Sequence, residues 1–266
     1  AFNSIPKLNE NEEESDSSCS SDEDASGDAD RDPDKPRKKT HWNMTGTEFN
    51  NIFGPEFAPR STCTGNILPA RCQLLRSIGH WSGGLTNTEH GIFDCYRYFI
   101  EHSQHSIYIE NQFFISGMIN NGKVTNTLAQ SIYSRIMKAA ATKSAFKIVV
   151  LLPLLPAMEG PVKGGPLSSI AGVMYWQFRS ICRGESSIIG RLIEEGVDPS
   201  KYIKFIGLRT HARLQSGWQT EQIYIHSKLM IVDDRTTIIG NANFNDRSMV
   251  GYKDSEICIV TEDSEM

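Results

Sequence analysis

The architecture of this chain is governed by the stretch Ile223-Tyr224-Ile225-His226-Ser227-Lys228-Leu229-Met230-Ile231-Val232, which is apolar, β-branched and followed by Asp233-Asp234. This composition predicts a buried β-strand that ends at a turn. Because alternate residues of a strand share a face, His226 and Lys228 are expected on one side, with roughly 7 Å between their Cβ atoms. Asp233 has the opposite parity and begins the turn, which favours a role in holding that turn.

The residues after the turn extend the pattern. Thr237-Ile238-Ile239 predicts the returning strand of a hairpin, and Gly240 is expected to let the backbone approach a ligand closely. Asn241 and Asn243 then share a face. One imidazole, one ammonium and two amides in one place are suited to holding a phosphate and acting on it. A His-x-Lys pair alone more often belongs to a strand with one solvated face, but the spacing His-x-Lys-x4-Asp-x6-Gly-Asn-x-Asn is far more restrictive.

The net charge of -5 is unevenly distributed along the 266 residues. Residues 1–40 hold 12 acidic and 6 basic side chains, and the remaining residues hold 20 acidic and 21 basic ones. Residues 1–40 are therefore predicted to be a disordered acidic tail, 41–66 an irregular linker, and 67–266 the folded domain. The near-neutral domain lacks the broad basic footprint of a nucleic-acid-binding protein, so no nucleic-acid partner is predicted.

The cysteine spacing and the hydropathy of the chain indicate the cellular compartment in which the protein is expected. The six Cys residues form no Cys-x-x-Cys pair and no regular framework, which favours a reducing compartment and neither a disulfide scaffold nor a zinc site. No apolar run reaches the roughly 18 residues that a transmembrane helix needs. A cytoplasmic protein with peripheral membrane contact is therefore expected.

Strand and helix patterns alternate over about 200 residues. Strands are predicted at 72–76, 106–114, 147–152, 202–206 and 256–260, and helices at 88–103, 124–141, 168–182 and 187–195. This order predicts an α/β fold with a mixed, mostly parallel sheet flanked by helices. The last strand is followed by no closing helix, so the domain is expected to be truncated at its C-terminus.

The spacing described above resembles the HKD signature of the phospholipase D superfamily, with Asn241 where many members carry Ser. Several further segments look like the second catalytic half of eukaryotic phosphatidylcholine-specific phospholipase D, of the type with PX and PH domains: residues 73–77, 107–114, 152–156, 182–185, 207–211 and 245–249. The family's enzymes combine two signatures, whereas this chain has one. The resemblance therefore implies a partner, the missing first HKD half of the same protein.

The resemblance also implies roles for individual residues. His226 would act as general acid and then base toward a phosphohistidine on the other half, although the sequence leaves open whether it is the nucleophile instead. The signature makes Lys228 and Asp233 candidate catalytic residues. Substrate phosphate is expected to bind Lys228, Asn241 and Asn243. Supporting roles fall to Glu256, which would orient the imidazole, and to Glu110 and Gln112 on one strand face. No metal and no cofactor are implied, because lysines supply the positive charge.

The implied reaction is the hydrolysis of phosphatidylcholine to phosphatidic acid and choline, with transphosphatidylation to primary alcohols. The implied partners are a phospholipid membrane surface and activators of the phosphoinositide and small-GTPase classes. Two alternatives remain open. The chain is either another phosphodiesterase of the superfamily, such as a nuclease or a cardiolipin-synthase-like enzyme, or a non-catalytic lipid-binding fragment, since one signature alone cannot make a two-histidine site.

Overall fold

The computed structural model describes residues 70–119, 123–156 and 169–263, which all belong to one compact unit, Gly65–Met266. The predicted acidic tail, the linker over residues 41–66 and the truncated C-terminal end lie outside these residues. The strands are β1 Ala70–Ile78, β2 Glu89–His90, β3 Ser106–Glu110, β4 Lys147–Leu151, β5 Ile203–Ile206, β6 Leu208–Leu214, β7 Gly217–Ile223, β8 Leu229–Val232, β9 Thr236–Gly240 and β10 Glu256–Asp263. The helices are α1 His80–Gly83, α2 Gly91–His102, α3 Leu128–Thr142, α4 Ser169–Ile181, α5 Ile188–Glu194 and α6 Asp246–Met249, with a 3-10 helix at Pro199–Lys201.

Eight of these strands form one sheet in the order β2-β1-β10-β9-β8-β3-β4-β5. The mixed α/β class is confirmed, but the prediction of a mostly parallel sheet is wrong. Only β3, β4 and β5 pair in parallel, and the other pairings in this sheet are antiparallel. The connections explain the difference, because helices carry the chain back between parallel strands whereas β8 and β9 are joined by a tight turn. Asp233 and Asp234 in that turn have φ values of 54° and 55°, as a type I′ hairpin turn requires.

Helices cover one face of the sheet and build the core there. Helix α2 buries Ile92, Tyr96 and Ile100, which recur every four residues and so lie on one side of the helix. They join a single apolar cluster with the paired strand residues Ile109 and Met230. Each large apolar side chain buried in this way stabilises the fold by about 1.5–3 kcal/mol.

The opposite face of the sheet carries exposed apolar side chains. Leu74, Ile259 and Ile239 are direct cross-strand neighbours on β1, β10 and β9, and all three are exposed. Ile257 extends the patch by two positions along β10. The sheet of the described residues is thus protected by helices on one side and presents an apolar strip on the other.

Strands β6 and β7 form a separate two-stranded sheet that the sequence analysis did not predict. Their residues are almost all exposed. Basic residues do alternate along β6, at Arg209, His211 and Arg213, but the segment has no buried apolar run of the kind by which the other strands were predicted. In the described residues, no helix is long and apolar enough to cross a membrane.

Gly240 serves strand packing. A Cβ atom at this position would lie 2.4 Å from the Ile257 carbonyl oxygen and 2.5 Å from Cys258 Cβ. The close approach that requires glycine here is therefore that of β10 to β9.

We expect Gly240→Ala to lower the free energy of unfolding by about 1–3 kcal/mol, because the methyl group overlaps main-chain atoms that cannot move away cheaply. Gly172→Ala in helix α4 is the matched control, since a Cβ there meets nothing within 4 Å. The control should be neutral or stabilising, as alanine favours a helix more than glycine does. Chemical denaturation of both variants measures the difference, and equal midpoints would contradict this account of Gly240.

Candidate functional site

Most of the predicted site residues gather at one end of the sheet. Strand β3 runs toward this end, finishes at Glu110 and is followed by Gln112. The antiparallel β8 begins there, one residue after Lys228, and β9 ends there just before Asn241. Strand β10 starts there with Glu256. The sheet topology therefore brings together residues that lie up to about 150 positions apart in the sequence.

Lys228 is the buried cation of this cluster, with only 7% of its surface exposed. Its Nζ donates to the carbonyl oxygen of His226 at 2.6 Å and to Gln112 Oε1 at 3.4 Å. Burial lowers the pKa of the Lys228 ammonium, and the nearby Glu256 carboxylate opposes that shift. An ammonium with few water neighbours attracts an arriving phosphate more strongly than a hydrated one does.

His226 lies in the irregular segment between β7 and β8, and its side chain is exposed. Its ring stacks on Tyr224, with centroids 5.7 Å apart and planes inclined by 26°. The predicted continuous strand from Ile223 to Val232 is wrong here, because β8 begins only at Leu229. The pairing of β8 with β3 ends at Leu229, because its partner Glu110 is the last residue of β3. The His226 carbonyl oxygen accepts a hydrogen bond from the Lys228 ammonium instead. The two residues thus meet through the His226 main chain and not through a shared strand face.

Glu110 and Gln112 both contact the His226–Lys228 segment. Glu110 accepts hydrogen bonds from Ser227 Oγ and, at 2.7 Å, from the Tyr108 hydroxyl. Burial, with that hydrogen bond and the Glu110 charge adding to it, raises the pKa of Tyr108 to about 12. Gln112 Nε2 donates to the Tyr224 hydroxyl at 2.7 Å. Hydrogen bonds from the end of β3 therefore hold Tyr224 and Ser227, on either side of His226.

Glu256 is buried beside Lys228 and accepts a short hydrogen bond from Ser248 Oγ. Burial raises the pKa of Glu256, while the Ser248 hydrogen bond and the Lys228 charge lower it. Among the described residues, no hydrogen bond joins Glu256 to the His226 ring. The structure thus pairs this carboxylate with the Ser248 hydroxyl, within electrostatic range of the Lys228 ammonium, and gives it no hydrogen bond to the imidazole that it was expected to orient.

The two asparagines differ in their surroundings. Asn241 is exposed, and its Oδ1 accepts a hydrogen bond from the Ile257 amide at 2.8 Å, so that the side chain extends the pairing of β9 with β10. Asn243 has a buried Oδ1 with no hydrogen-bond partner in the described structure. An unpaired buried amide oxygen costs about 1–3 kcal/mol. Of the two, Asn243 is the side chain whose polar group is not already committed to holding the fold.

Asn111 is a further residue of this region that the sequence analysis did not select. It is fully buried, and its Oδ1 accepts from the amides of Phe113 at 3.2 Å and Phe244 at 3.0 Å. Its Nδ2 donates to the Ala242 carbonyl at 3.4 Å. Asn111 thereby clamps the main chain on both sides of Asn243. A single polar residue at the end of an apolar strand carries no sequence signal for such a role.

We expect Asn111→Ala to lower the free energy of unfolding by about 2–4 kcal/mol, because it leaves two buried amides without an acceptor. Asn241→Ala, which loses one exposed hydrogen bond, should cost less than about 1 kcal/mol. Urea denaturation of the two variants provides the comparison. Similar losses in both would show that Asn111 does not hold the segment.

Asp233 lies at the opposite end of β8, roughly 16 Å from Lys228 at about 3.3 Å per residue. Its carboxylate accepts hydrogen bonds from the amides of Gln104 and His105 at 2.6 Å and of Ser106 at 2.9 Å. The structure thus assigns Asp233 to the α2–β3 connection, and it does not bring this residue to the other candidate catalytic residues. No group of three or more metal-binding side chains occurs in the described part of the chain.

Comparisons with known proteins identify the family of this chain. The family model for phospholipase D matches residues 208–263, from β6 to the end of β10. Phospholipase D1 of Mus musculus is 42% identical over 236 residues, covering 84% of this chain and 22% of the relative. Phospholipase D2 of Bos taurus is 44% identical over 238 residues, covering 85% and 25%, respectively. Phospholipase D zeta 1 of Arabidopsis thaliana is 42% identical over 214 residues, covering 79% and 19%.

The chain therefore spans about a fifth to a quarter of the length of these relatives. Among solved structures, NucT from Helicobacter pylori aligns with 74% of this chain and 88% of its own, at a TM-score of 0.39 and 14% identity. The signature around His226 and the identity over most of the chain establish its place. This chain belongs to the phospholipase D superfamily, and its sequence groups it with the eukaryotic phospholipases D.

Proposed function

We propose that this chain is one catalytic half of a phospholipase D, which hydrolyses phosphatidylcholine to phosphatidic acid and choline and transfers the phosphatidyl group to primary alcohols. The buried Lys228 ammonium carries this proposal. It is held at the sheet end between Gln112 and the main-chain carbonyl of His226, a residue whose ring is exposed. A cation next to an acid–base group is what cleavage of a phosphodiester needs. The relatives named phospholipase D support the same reaction class.

The proposed mechanism has two steps. A histidine of the other half attacks phosphorus, a P–N bond forms, and the bond from phosphorus to the choline oxygen breaks as the His226 imidazolium gives its proton to that oxygen. The neutral His226 ring then removes a proton from water or an alcohol, whose oxygen attacks phosphorus and breaks the P–N bond. Lys228 and Asn243 would bind the non-bridging oxygens through both steps. The same imidazole serves as acid and then as base.

We propose that the other half docks on the exposed apolar strip formed by Leu74, Ile239, Ile257 and Ile259. The match covers only 22% and 25% of these relatives. A further part of a protein of that length could therefore cover the strip. Burial of these side chains would stabilise the association by about 25 cal/mol per Å² of apolar surface removed from water. The strip continues on β8 to Leu229, the residue after Lys228, so a partner lying on it would reach the site.

The test is reconstitution. The chain, combined with the first catalytic half of a relative, should release choline from phosphatidylcholine and form a phosphatidyl alcohol when a primary alcohol is present, whereas each half alone should be inactive. Ile239→Glu should prevent this complementation, while Ile193→Glu, at an exposed helix position, should not. Absence of both products from the combined halves, with their association shown by cosedimentation, would exclude the function.

The same reconstituted sample distinguishes the alternatives. Cleavage of a DNA oligonucleotide without turnover of phosphatidylcholine would show a nuclease instead. Formation of cardiolipin from phosphatidylglycerol in preference to choline release would indicate a synthase of the superfamily. Vesicle binding without turnover in the presence of the first half would identify a non-catalytic lipid-binding fragment.

A further inference from the structure

The hairpin β6–β7 lies outside the eight-stranded sheet and has no role in the chemistry described above. Seven residue pairs join its strands, from Leu208 opposite Ile223 to Leu214 opposite Gly217. The turn uses Gln215 and Ser216, and Gly217 has a φ of 111°, a value that residues with a Cβ rarely adopt. This is a regular, well-paired element, although the rest of the domain leaves it largely uncovered.

One face of the hairpin is basic. Arg209, His211 and Arg213 occupy alternate positions of β6 and therefore project to the same side. On β7, Trp218 lies directly opposite Arg213 and so shares that side. The hairpin's one carboxylate, Glu221, pairs with Thr210 and belongs to the other face. Two guanidinium groups and an imidazole are thus presented together without a neighbouring acid on their own face.

The end of the hairpin near the turn is apolar as well. Trp218 is 75% exposed on the basic face, and Leu214, the last residue of β6, is 58% exposed on the other face, so the tip has an apolar group on each side. A large exposed apolar group at the tip of an otherwise polar element is unfavourable in water and marks a contact surface. Indole rings are enriched where one end of a side chain is apolar and the other is wet, as at the boundary of a lipid bilayer.

The hairpin is also directly connected to the site. Only Tyr224 and Ile225 separate the end of β7 from His226. The Tyr224 ring stacks on the His226 ring, so the element and the imidazole are linked by side chain as well as by main chain. The base of the hairpin therefore lies next to the imidazole, and its tip extends roughly 20 Å from there at about 3.3 Å per residue.

We propose that the β6–β7 hairpin is the element that docks this chain on an anionic phospholipid bilayer, with Trp218 and Leu214 in the interfacial layer and the guanidinium groups of Arg209 and Arg213 on lipid phosphates. Cationic side chains are attracted to anionic lipids, and apolar groups gain by leaving water. A single-stranded nucleic acid would also meet arginines and an aromatic ring, but it offers no apolar layer for Leu214. The inference rests on the proposed function for the presence of a lipid substrate, and the two are tested by separate measurements.

The experiment measures binding of the full chain to vesicles of phosphatidylcholine with and without phosphatidylserine. Wild-type protein should bind the vesicles with phosphatidylserine more tightly. Arg209→Gln with Arg213→Gln should weaken that binding about twenty-fivefold, since each basic residue near an anionic surface contributes roughly fivefold. Trp218→Ala should weaken binding about tenfold to both kinds of vesicle, because it removes apolar contact and no charge.

Three controls make the result specific. Lys138→Gln with Lys204→Gln removes the same charge from exposed positions on helix α3 and strand β5, and should leave binding unchanged. Arg209→Lys with Arg213→Lys keeps the charge and should retain most of the binding. Unchanged thermal unfolding of all variants would show that the hairpin substitutions do not disturb the sheet.

Equal binding by the hairpin variants and the Lys138/Lys204 variant would overturn the proposal. So would tighter binding of the hairpin to a single-stranded oligonucleotide than to the vesicles with phosphatidylserine. Loss of complementation with the first half, while vesicle binding persists, would also overturn it and assign the hairpin to that half. Failure of the proposed function itself would appear elsewhere, as no turnover of a soluble short-chain phosphatidylcholine by the combined wild-type halves.

Discussion

His226→Ala should lower transphosphatidylation by the reconstituted halves at least about a thousandfold, because the variant has no group to protonate the leaving oxygen and none to activate the incoming alcohol. The ring is exposed and its contact is with the ring of Tyr224. Its removal therefore costs little packing, and the thermal unfolding temperature should be unchanged. A large loss of activity without a loss of stability is the signature of a group that acts chemically.

The choice of leaving group separates the two roles open to this imidazole. Nitrophenolate departs without a proton, so an enzyme lacking only its general acid should still release nitrophenol once per site from a nitrophenyl phosphodiester. The later step needs the base, so the release should stop after this burst. If His226 is the nucleophile instead, His226→Ala should show no burst. Rapid-mixing measurements on the combined halves distinguish the two results.

His80→Gln is the matched control for His226→Ala. His80 is also an exposed histidine, in helix α1, and the site described above does not include it. This variant should keep full activity. Activity retained by His226→Ala would contradict the assignment of the site, whatever the behaviour of the control.

Particular residues show which parts of the fold and of the site can be predicted from the sequence. The apolar runs around Ile109, Val150 and Ile238 predicted their strands, because burial on at least one face leaves a periodic or continuous apolar pattern. The signature identified Lys228 and Asn243 by spacing alone. Neither argument required knowledge of which strands pair. The strands are present in the structure, whereas the roles of Lys228 and Asn243 stay predictions.

What the sequence could not show depends on contacts between distant segments. The pairing of β1 with β10 joins Ala70 to Asp263, and no local pattern encodes it. The same holds for Glu256, which accepts a hydrogen bond from Ser248 and acts on Lys228 through its charge. Asn111 clamps residues more than a hundred positions away. Side-chain roles of this kind follow from the tertiary fold and not from residue spacing.

Asp233→Ala tests whether the aspartate of the HKD signature takes part in catalysis or only stabilises the fold. The resemblance counts Asp233 among the catalytic residues, but its carboxylate accepts three main-chain hydrogen bonds from Gln104, His105 and Ser106 at the far end of β8. Hydrogen bonds to a charged group each contribute about 1.5–3 kcal/mol, less where water replaces them. We expect the free energy of unfolding to fall by about 2–4 kcal/mol and the unfolding temperature by about 10 °C.

Arg135 links the α2–β3 connection to Asp233 in a second way. Its guanidinium is buried over the Phe146 ring and donates to the carbonyls of Ser103 and Gln104. Burial lowers the pKa of Arg135, and the Asp233 charge opposes that shift. Removing the carboxylate thus leaves a buried cation without its neighbouring anion, which adds to the loss of stability.

Asp234→Ala provides the matched control, because Asp234 is adjacent, exposed and has almost the same positive φ. Both substitutions place alanine in the left-handed region at a similar cost, so the difference between them measures the three hydrogen bonds of Asp233 together with its attraction to Arg135. Measured below its unfolding temperature, Asp233→Ala should retain the turnover rate of the reconstituted enzyme per folded molecule. A variant that unfolds like wild type but has lost turnover would instead place Asp233 in the chemistry. The expected pattern makes the aspartate of this signature a structural residue, which holds the β3 and β8 strands in register so that Glu110, Gln112 and Lys228 meet at their other end.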